Sequence, residues 1–199
     1  MRVSREQAAE NRRRVVETAS RLFRERGFDG IGVADLMKGA GLTHGGFYGQ
    51  FASKEELMAQ ACSQALEESL GRWQARVAEA GGEGLSVVAA AYLSAAHRDR
   101  PGLGCALAAL GAEAPRHAPG VRHALTEGLR PLLDLLGSLL PGRSKAVRRR
   151  KALATFSAMV GAQVLARAVD DPALSEEILQ AVLASIEGAG RGGEPARAG

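Results

Sequence analysis

Apolar residues recur every three or four positions along most of the chain, the spacing that places side chains on one face of an α-helix. The first apolar stripe lies between Ser4 and Gly27, with arginines on the other faces. Ser4 and Gln7 have the separation of a capping box, and Gly27 is a typical carboxyl-terminal stop. The pattern predicts a first helix from about Ser4 to Gly27, with a buried face of Ala8, Val15, Ala19, Leu22 and Phe23.

Shorter amphipathic segments follow the first helix. A second helix is predicted over about residues 33–40, and Gly41 follows it at a position where a positive φ is easy. Thr43 is then expected to cap a third helix of about seven residues. Because a helix that short is unstable alone, we expect Phe47 and Phe51, one turn apart, to anchor it in the core.

A long fourth helix is predicted next. Ser53 and Glu56 form a second capping box, and the helical pattern continues to about Ala78. Glycine and proline then interrupt Ala- and Leu-rich segments, which predicts helices near 84–98, 104–114, 119–140, 144–169 and 173–187. Pro131 is expected to kink or break the third of these, and residues 188–199 are expected to form a frayed, disordered tail.

The composition supports an all-α fold. The chain of 199 residues is 46% hydrophobic but only 4% aromatic, and alternating runs of β-branched residues are missing. No signal-peptide pattern and no apolar stretch of membrane-spanning length occur, so a cytoplasmic protein without a membrane partner is expected. Cys62 and Cys105 are accordingly expected to be reduced thiols.

Positive charge is concentrated in the first quarter of the sequence. Residues 1–54 contain ten basic and six acidic side chains, whereas the remaining residues contain 16 of each. Such an asymmetry is typical of a site for a polyanion. Residues 41–57 add a tight turn, a short aromatic-anchored helix and a capped helix, which together favour a segment that binds DNA.

Residues 4–57 resemble the amino-terminal domain of the TetR family of bacterial transcriptional regulators. The resemblance rests on an ordered set of motifs: Arg21-Leu22-Phe23, Gly27-Phe28, Val33-Ala34-Asp35-Leu36, Ala40-Gly41-Leu42-Thr43, Tyr48, Phe51, Ser53-Lys54-Glu55 and Leu57. Two positions depart from the family pattern. Gly32 stands where a Thr or Ser usually caps the second helix and contacts a phosphate, and Met37 stands where a small Ala is usual.

The resemblance implies an all-α homodimer of about nine helices per chain. A three-helix, helix-turn-helix DNA-binding domain would occupy residues 1–52, with the helix-turn-helix at about 32–51. A long helix would join it to a ligand-binding and dimerisation bundle over residues 53–187.

The resemblance also implies roles in DNA binding. Thr43 and Tyr48 would bond phosphates, His44 and Gln50 would lie at the major groove, and Lys54 would reach a phosphate from the fourth helix. The plainer alternative is that Thr43 is only a cap, Tyr48 only core and His44 only solvated.

The pair Gly45-Gly46 is unusual inside a helix, where each glycine costs about 1 kcal/mol relative to alanine. We expect the pair to let the backbone lie close to the bases or to a thymine methyl. One of Arg12, Arg13 and Arg14 is expected to reach a flanking phosphate, because consecutive helical positions point in different directions.

The bundle is expected to enclose a small, mainly apolar effector. Aromatic side chains are scarce outside the first 51 residues, and pockets combine apolar walls with few polar groups. The candidate lining residues are Trp73, Tyr92, Cys105, Phe156, Met159 and Gln163. Each alone is more often a core residue than a ligand contact, and Cys105 has no basic neighbour in sequence to favour a reactive thiolate.

The last two helices are expected to pair with those of a second copy, as the resemblance implies. A two-fold dimer would address a palindromic double-stranded operator. The candidate interface comprises Phe156, Val160, Val164, Ile178, Leu179, Val182, Leu183 and Ile186. A purely intramolecular core is the alternative, since part of each stripe must serve that purpose.

An enzyme is not expected. His44, His97, His117 and His123 do not fall at metal-ligand spacings, and neither a nucleophile elbow nor a phosphate-cradling glycine loop occurs, so no metal or cofactor is expected. The resemblance instead implies a repressor that an effector releases from its operator. A helical adaptor that kept the amino-terminal domain but binds protein is the remaining alternative.

Overall fold

The computed structural model describes residues 4–191, which form α-helices joined by turns and short 3-10 helices, with no β-strand. The α-helices of this part are α1 (Arg5–Arg26), α2 (Val33–Gly39), α3 (Lys54–Glu79), α4 (Gly84–Tyr92), α5 (Ala95–Asp99), α6 (Ala106–Leu110), α7 (Pro119–Leu139), α8 (Lys145–Ala168) and α9 (Pro172–Arg191). The all-α fold predicted from the hydrophobic pattern is confirmed.

Helix α1 begins and ends at the predicted residues. The Ser4 hydroxyl accepts a hydrogen bond from the Gln7 backbone N–H at 3.1 Å, which forms the N-cap. Gly27 ends the helix with a φ of 78°, and its N–H donates to the Phe23 carbonyl at 2.8 Å. A β-carbon on Gly27 would come within 2.7 Å of the Glu113 carboxylate, so both the backbone angle and the space require glycine.

The chain divides into two compact units. The first comprises the chain up to Ser69 together with Arg100–Leu129, and the second comprises Leu70–Asp99 and the chain from Arg130 onward. Helices α3 and α7 each contribute residues to both units.

The first unit is organised around four fully buried phenylalanines. Phe23 and Phe28 meet edge to face with ring centroids 5.4 Å apart, and Phe47 stacks on Phe51 at 5.5 Å. Gly128 of α7 lies so close to α3 that a β-carbon would meet the Leu66 side chain at 2.5 Å. Large aromatic rings let this small unit bury enough apolar area to hold its short elements.

The second unit contains α4, α8 and α9. Helix α8 begins at the Ser144 N-cap, whose hydroxyl accepts from the Val147 N–H at 3.2 Å. The buried Ser175 hydroxyl near the start of α9 donates to the Ala166 carbonyl at 2.6 Å, which ties the two helices together at their connection. Helix α9 also packs against α4, where Ser86 donates to the Glu187 carboxylate at 2.9 Å.

Three predicted helices differ from the structure. The single helix expected over 84–98 is split into α4 and α5, because the Ser94 hydroxyl accepts from the His97 N–H at 3.2 Å and starts a new helix. The helix expected over 104–114 is reduced to Ala106–Leu110 between two 3-10 turns that each contain a proline. Helix α7 continues through Pro131 without the expected break.

The predicted carboxyl-terminal tail falls partly outside the described residues. Residues 188–191 continue α9 as a helix, in contrast to the expected fraying, and residues 192–199 lie outside the described part. Among the described residues, no helix is long and apolar enough to cross a membrane.

Candidate nucleic-acid interface

Helix α2 leads into a sharp turn. Gly32 precedes it in an extended conformation, with no side-chain cap. At its end, the Ala40 N–H donates to the Leu36 carbonyl at 3.0 Å, and Gly41 follows with a φ of 71°. The predicted positive φ at Gly41 is thereby confirmed, and it reverses the chain towards Thr43.

The expected third helix of about seven residues is not formed. His44–Gly46 make one turn of 3-10 helix, closed by a hydrogen bond from the Gly46 N–H to the Thr43 carbonyl at 3.1 Å. The Thr43 side chain makes no capping hydrogen bond, so the expected cap is wrong as well. Three glycines, at positions 45, 46 and 49, explain the difference, since each loses more backbone entropy in a helix than any other residue.

Two aromatic anchors hold this recognition turn, which we define as Thr43–Gln50. The Phe51 N–H donates to the Phe47 carbonyl at 3.0 Å, and both rings are buried. Tyr48 stands edge-on to Phe47 at 5.1 Å but is 72% exposed. An exposed tyrosine beside two buried phenylalanines is presented outward on a rigid support.

The exposed residues of the recognition turn include most of the predicted DNA contacts. Thr43, His44, Gly45 and Tyr48 are all exposed. A β-carbon on Gly45 would meet no atom within 4 Å, so packing within the protein does not require glycine there.

Gln50 and Lys54 are directed at the protein itself. The Gln50 amide donates back to the Gly46 carbonyl at 3.3 Å, and its Oε1 is buried without a hydrogen-bond partner. The Lys54 ammonium donates to the Phe28 carbonyl at 2.6 Å. One of its three N–H donors is therefore used to hold the turn between α1 and α2.

Two arginines of α1 position the recognition turn. Arg12 donates to the Gln50 carbonyl and, at 2.8 Å, to the Glu56 carboxylate, while its guanidinium lies 4.3 Å from the centre of the Phe51 ring. Arg14 donates to the Ala40 carbonyl at 2.6 Å, at the end of α2. These bonds clamp both ends of the segment from α2 to α3.

The third arginine of the run serves α1 alone. Arg13 pairs with Glu10 at 2.7 Å and with Glu17, four residues further along the helix. All three guanidinium groups thus make contacts within the protein, whereas the sequence suggested that one would reach a flanking phosphate.

The amino end of α3 is capped from both sides. The Ser53 hydroxyl accepts from the Glu56 N–H at 3.1 Å, and the Glu56 carboxylate accepts from the Ala52 N–H at 2.7 Å. This backbone hydrogen bond, followed by the bond from Arg12, holds the pKa of Glu56 below its ordinary value. The capping box predicted from Ser53 and Glu56 is confirmed, with Ala52 as the residue whose N–H is satisfied.

Residues distant in sequence hold the turn between α1 and α2. The Glu113 carboxylate accepts from the Phe28 N–H at 2.8 Å, and the His117 ring meets the Phe28 ring edge to face at 4.9 Å. Glu55 of α3 accepts from the Ala118 N–H at 3.2 Å. The buried Arg24 donates to the Gly104 carbonyl at 2.7 Å. Sequence reasoning missed these contacts, because isolated charged residues on amphipathic helices carry no periodic signal.

The second unit brings five of the six predicted effector residues together. Trp73 lies 6.0 Å from Tyr92 and 6.1 Å from Phe156, measured between ring centroids. Met159 and Gln163 are fully buried on the same helix as Phe156, and the Gln163 amide donates to the Tyr92 carbonyl at 2.6 Å. Cys105 belongs to the first unit and is not part of this cluster.

The predicted dimer residues divide by burial. Phe156, Leu179 and Ile186 are buried within the protomer, Val164 is exposed, and the remaining residues, Val160, Ile178, Val182 and Leu183, are half-buried. Three further apolar side chains of the same two helices, Leu153, Leu165 and Leu174, are also exposed.

The segment that contains α2, the recognition turn and the start of α3 matches known regulators. Residues 15–61 match the family model described as bacterial regulatory proteins, tetR family. The HTH-type transcriptional regulator TtgR of Pseudomonas putida is 38% identical over 69 residues, which cover 35% of this chain and 32% of that protein. YerO of Bacillus subtilis, an HTH-type transcriptional regulator, is 32% identical over 63 residues, covering 32% and 22%. The chain thus spans about a third or less of the length of these curated relatives.

Solved structures resemble the chain over most of its length. A TetR-family transcriptional regulator from Cytophaga hutchinsonii has a TM-score of 0.77 at 21% identity, covering 96% of this chain and 99% of that chain. The reduced form of E. coli NemR has a TM-score of 0.75 at 21% identity, covering 90% and 97%. At these identities the likeness is one of fold. The chain thus combines a segment, residues 15–61, that matches the tetR family model with a fold, over most of its length, like that of solved TetR-family regulators.

Proposed function

We propose that the chain is a homodimeric repressor that binds a palindromic DNA operator through the recognition turn and is released from it by a small-molecule effector. The observation that carries the DNA-binding part is the exposed Tyr48 beside the open site at Gly45, on a turn that two buried phenylalanines and two arginines hold in place. Phosphate contacts fix the register in which a protein reads the bases of a groove. They can do so only if the residues that contact the DNA are held rigidly relative to one another.

Each predicted DNA-contact residue has a proposed role in this complex. Thr43 and Tyr48 donate hydroxyl hydrogen bonds to phosphates, and His44 faces the base edges. The open space at Gly45, next to Gly46, admits the edge of a base or a thymine methyl. Lys54 reaches a phosphate with the donors that do not hold Phe28, and Gln50 reads a base after its amide leaves the Gly46 carbonyl.

Selection from a pool of random duplexes, followed by fluorescence anisotropy titration, tests this proposal. A palindromic consensus is expected, and the logarithm of the affinity should fall linearly with the logarithm of the salt concentration. A half-site duplex and a scrambled duplex of equal length are the controls. Equal affinity for the consensus and scrambled duplexes would contradict sequence-specific recognition.

A second copy of the chain is the proposed occupant of the exposed apolar face of α8 and α9. Leu153 and Val164 are exposed about three turns apart on one side of α8, Leu165 is exposed next to Val164 in sequence, and Leu174 is exposed on α9. Exposed apolar patches of this kind mark sites of association. Two-fold pairing would also supply two recognition turns, one for each half-site of a palindrome; we call each of them a reading head.

Release by an effector is proposed to occur by a population shift. Helix α3 carries Lys54 near the recognition turn and Trp73 in the aromatic cluster of the second unit. An effector that favours a displaced α3 would move the two heads away from their half-site spacing. A coupling free energy of about 1 to 3 kcal/mol would lower operator affinity five-fold to about 150-fold.

A further inference from the structure

The five clustered residues of the second unit, Trp73, Tyr92, Phe156, Met159 and Gln163, carry no charge at all. The three rings lie edge-on or tilted to one another, with centroids 6.0 to 6.3 Å apart. This separation is near the upper end of the range for interacting aromatic pairs, and the ring edges and faces are suited to an added aromatic ring. A charged molecule would have to lose its water in this cluster without gaining a counter-charge.

The polar chemistry of the cluster is fixed by the Tyr92 carbonyl. A carbonyl oxygen only accepts hydrogen bonds, and this one is approached at 2.6 Å by the Gln163 amide and at 2.6 Å by the His97 Nδ1. The nitrogen of the Gln163 amide must therefore face Tyr92, and His97 must carry its proton on Nδ1. This orientation turns the Gln163 oxygen away from the Tyr92 carbonyl, so that the oxygen can accept a hydrogen bond from another molecule.

The Gln163 Oε1 is a buried acceptor without a hydrogen-bond partner, on a side chain that is fully buried. Buried polar atoms are nearly always paired in native proteins, and an exception calls for an explanation such as a ligand. An acceptor is satisfied only by a donor. The geometry therefore favours a ligand that offers a hydrogen-bond donor to this oxygen.

The neighbouring cations, Arg167 and Arg98, are held by groups of the protein itself. Arg167 donates to the carbonyls of His97 at 2.7 Å and Arg98 at 3.0 Å, and Arg98 donates to the Ser175 hydroxyl at 3.0 Å. These bonds fix α5 beside α8 and give the guanidinium groups structural roles. An anionic effector is accordingly not favoured by the contacts of this cluster.

We infer that the effector is an uncharged aromatic molecule with a hydrogen-bond donor, of the phenol or aromatic amine class, whose donor binds the Gln163 Oε1 while its ring lies against Trp73, Tyr92 and Phe156. This inference rests on the proposed function, because it names the ligand class of the proposed effector site. The proposed function asks only for a small molecule that fits a mainly apolar site. The inference adds the requirement that this molecule carry a hydrogen-bond donor.

Trp73 provides a direct test, because it is the single tryptophan of the chain. Its fluorescence, excited at the red edge where phenols do not absorb, should change on titration with para-propylphenol. The methyl ether, para-propylanisole, has nearly the same shape but no donor. We expect the phenol to bind at least tenfold more tightly than the ether. Equal affinities, or no response to either compound, would overturn the inference.

The variant Gln163→Met keeps an unbranched side chain of similar length and removes the acceptor. It should reduce the affinity for the phenol to that of the ether and leave the affinity for the ether nearly unchanged. Should Gln163→Met fail to fold, the comparison of the two compounds on the unmodified protein still decides the question. Retained preference for the phenol in a folded Gln163→Met protein would assign the donor to another partner and refute the inference.

Operator binding separates this inference from the proposed function. A protein that binds its selected palindrome and releases it with some other compound, yet does not distinguish phenol from ether, would remain a regulator with a different ligand class. A protein that distinguishes the two compounds at Trp73 but binds no duplex specifically would keep the site and lose the proposed function.

Discussion

Gly45 and Gly32 both leave open space where a β-carbon would stand, but only Gly45 belongs to the recognition turn. Alanine at either position should leave the free protein as stable as before, or more stable by about 0.5 to 1 kcal/mol, because it reduces the entropy of the unfolded chain. Gly45→Ala should nevertheless weaken operator binding about tenfold or more, since its methyl would stand where a base edge approaches.

Thermal melts and anisotropy titrations of the two variants measure these effects. Gly32→Ala is the matched control, because its β-carbon also meets no atom of the protein within 4 Å. Equal operator affinity for Gly45→Ala and the unmodified protein would show that the space at position 45 is not used by DNA.

Tyr48 offers a second test at a single atom. Tyr48→Phe removes the hydroxyl of a side chain that is 72% exposed, so stability should change by less than about 0.5 kcal/mol. The loss of one hydrogen bond to a charged phosphate should cost about 1.5 to 3 kcal/mol, or about ten- to 150-fold in operator affinity. Because the tyrosine hydroxyl is uncharged and neutralises no phosphate, the salt dependence should stay the same. A loss of stability with unchanged affinity would assign Tyr48 to the core.

The residues that face outward in the recognition turn were predictable, whereas the contacts that hold it were not. Tyr48 and His44 follow from a motif with fixed spacing. Arg12 and Arg14 are surface-like residues in an arginine run, and their carbonyl partners lie 38 and 26 residues away. Only the folded chain shows which of several similar arginines meets which backbone group.

At the scale of elements, the cap of α3 makes stability depend on pH. The folded-state pKa of Glu56 is lowered by the Ala52 N–H and by Arg12, so its carboxylate stabilises the fold above the ordinary glutamate pKa. That contribution is lost as the pH falls through the lowered value. The melting temperature should therefore fall more steeply from pH about 5 to about 3 in the unmodified protein than in Glu56→Gln.

Glu79→Gln is the control for this measurement, because it removes an exposed carboxylate at the other end of the same helix. Identical pH profiles for Glu56→Gln and the unmodified protein would mean that the cap contributes nothing measurable.

The long helices of the chain were predicted to within a few residues, because a stripe repeated over many turns identifies its element. The short elements were predicted less well. A serine cap at Ser94 divides one predicted helix, and three glycines reduce the expected recognition helix to a 3-10 turn. In such short segments a single side-chain hydrogen bond, or the backbone entropy lost by a few glycines, outweighs the hydrophobic periodicity. Too few helical turns are present for the periodic contacts to decide the structure.

At the scale of the whole molecule, the exposed apolar face of α8 predicts a homodimer. We expect a single charged substitution on this face to dissociate the dimer into monomers. Leu165 is 55% exposed, so Leu165→Glu should change the stability of a protomer by about 0.5 kcal/mol or less. A charge buried without a partner in the interface should be far more costly. Sedimentation velocity should show a monomer, and operator affinity should fall with it.

Leu103→Glu is the matched control, because Leu103 is a 62% exposed leucine in the first unit. It should sediment as the unmodified protein does. A Leu165→Glu protein that remains dimeric would place the interface elsewhere.

The all-α class followed from the sequence, but the membership of the two units did not. Residues 100–129 join the first unit through contacts such as Glu113 with Phe28 and Arg24 with Gly104, which link positions 85 and 80 residues apart. A domain boundary predicted at one position in the sequence cannot show that a later segment packs back into the first unit.

Both cysteines are sealed inside the protein, and burial raises the pKa of the Cys62 thiol to about 12. Thiol-directed dyes and spin labels should therefore not react with Cys62 or Cys105 while the protein is folded. A single cysteine substituted for the exposed Ala52, next to the recognition turn, would be labelled selectively without first removing the native pair. Paired labels on two copies would then serve as a ruler for the separation of their reading heads.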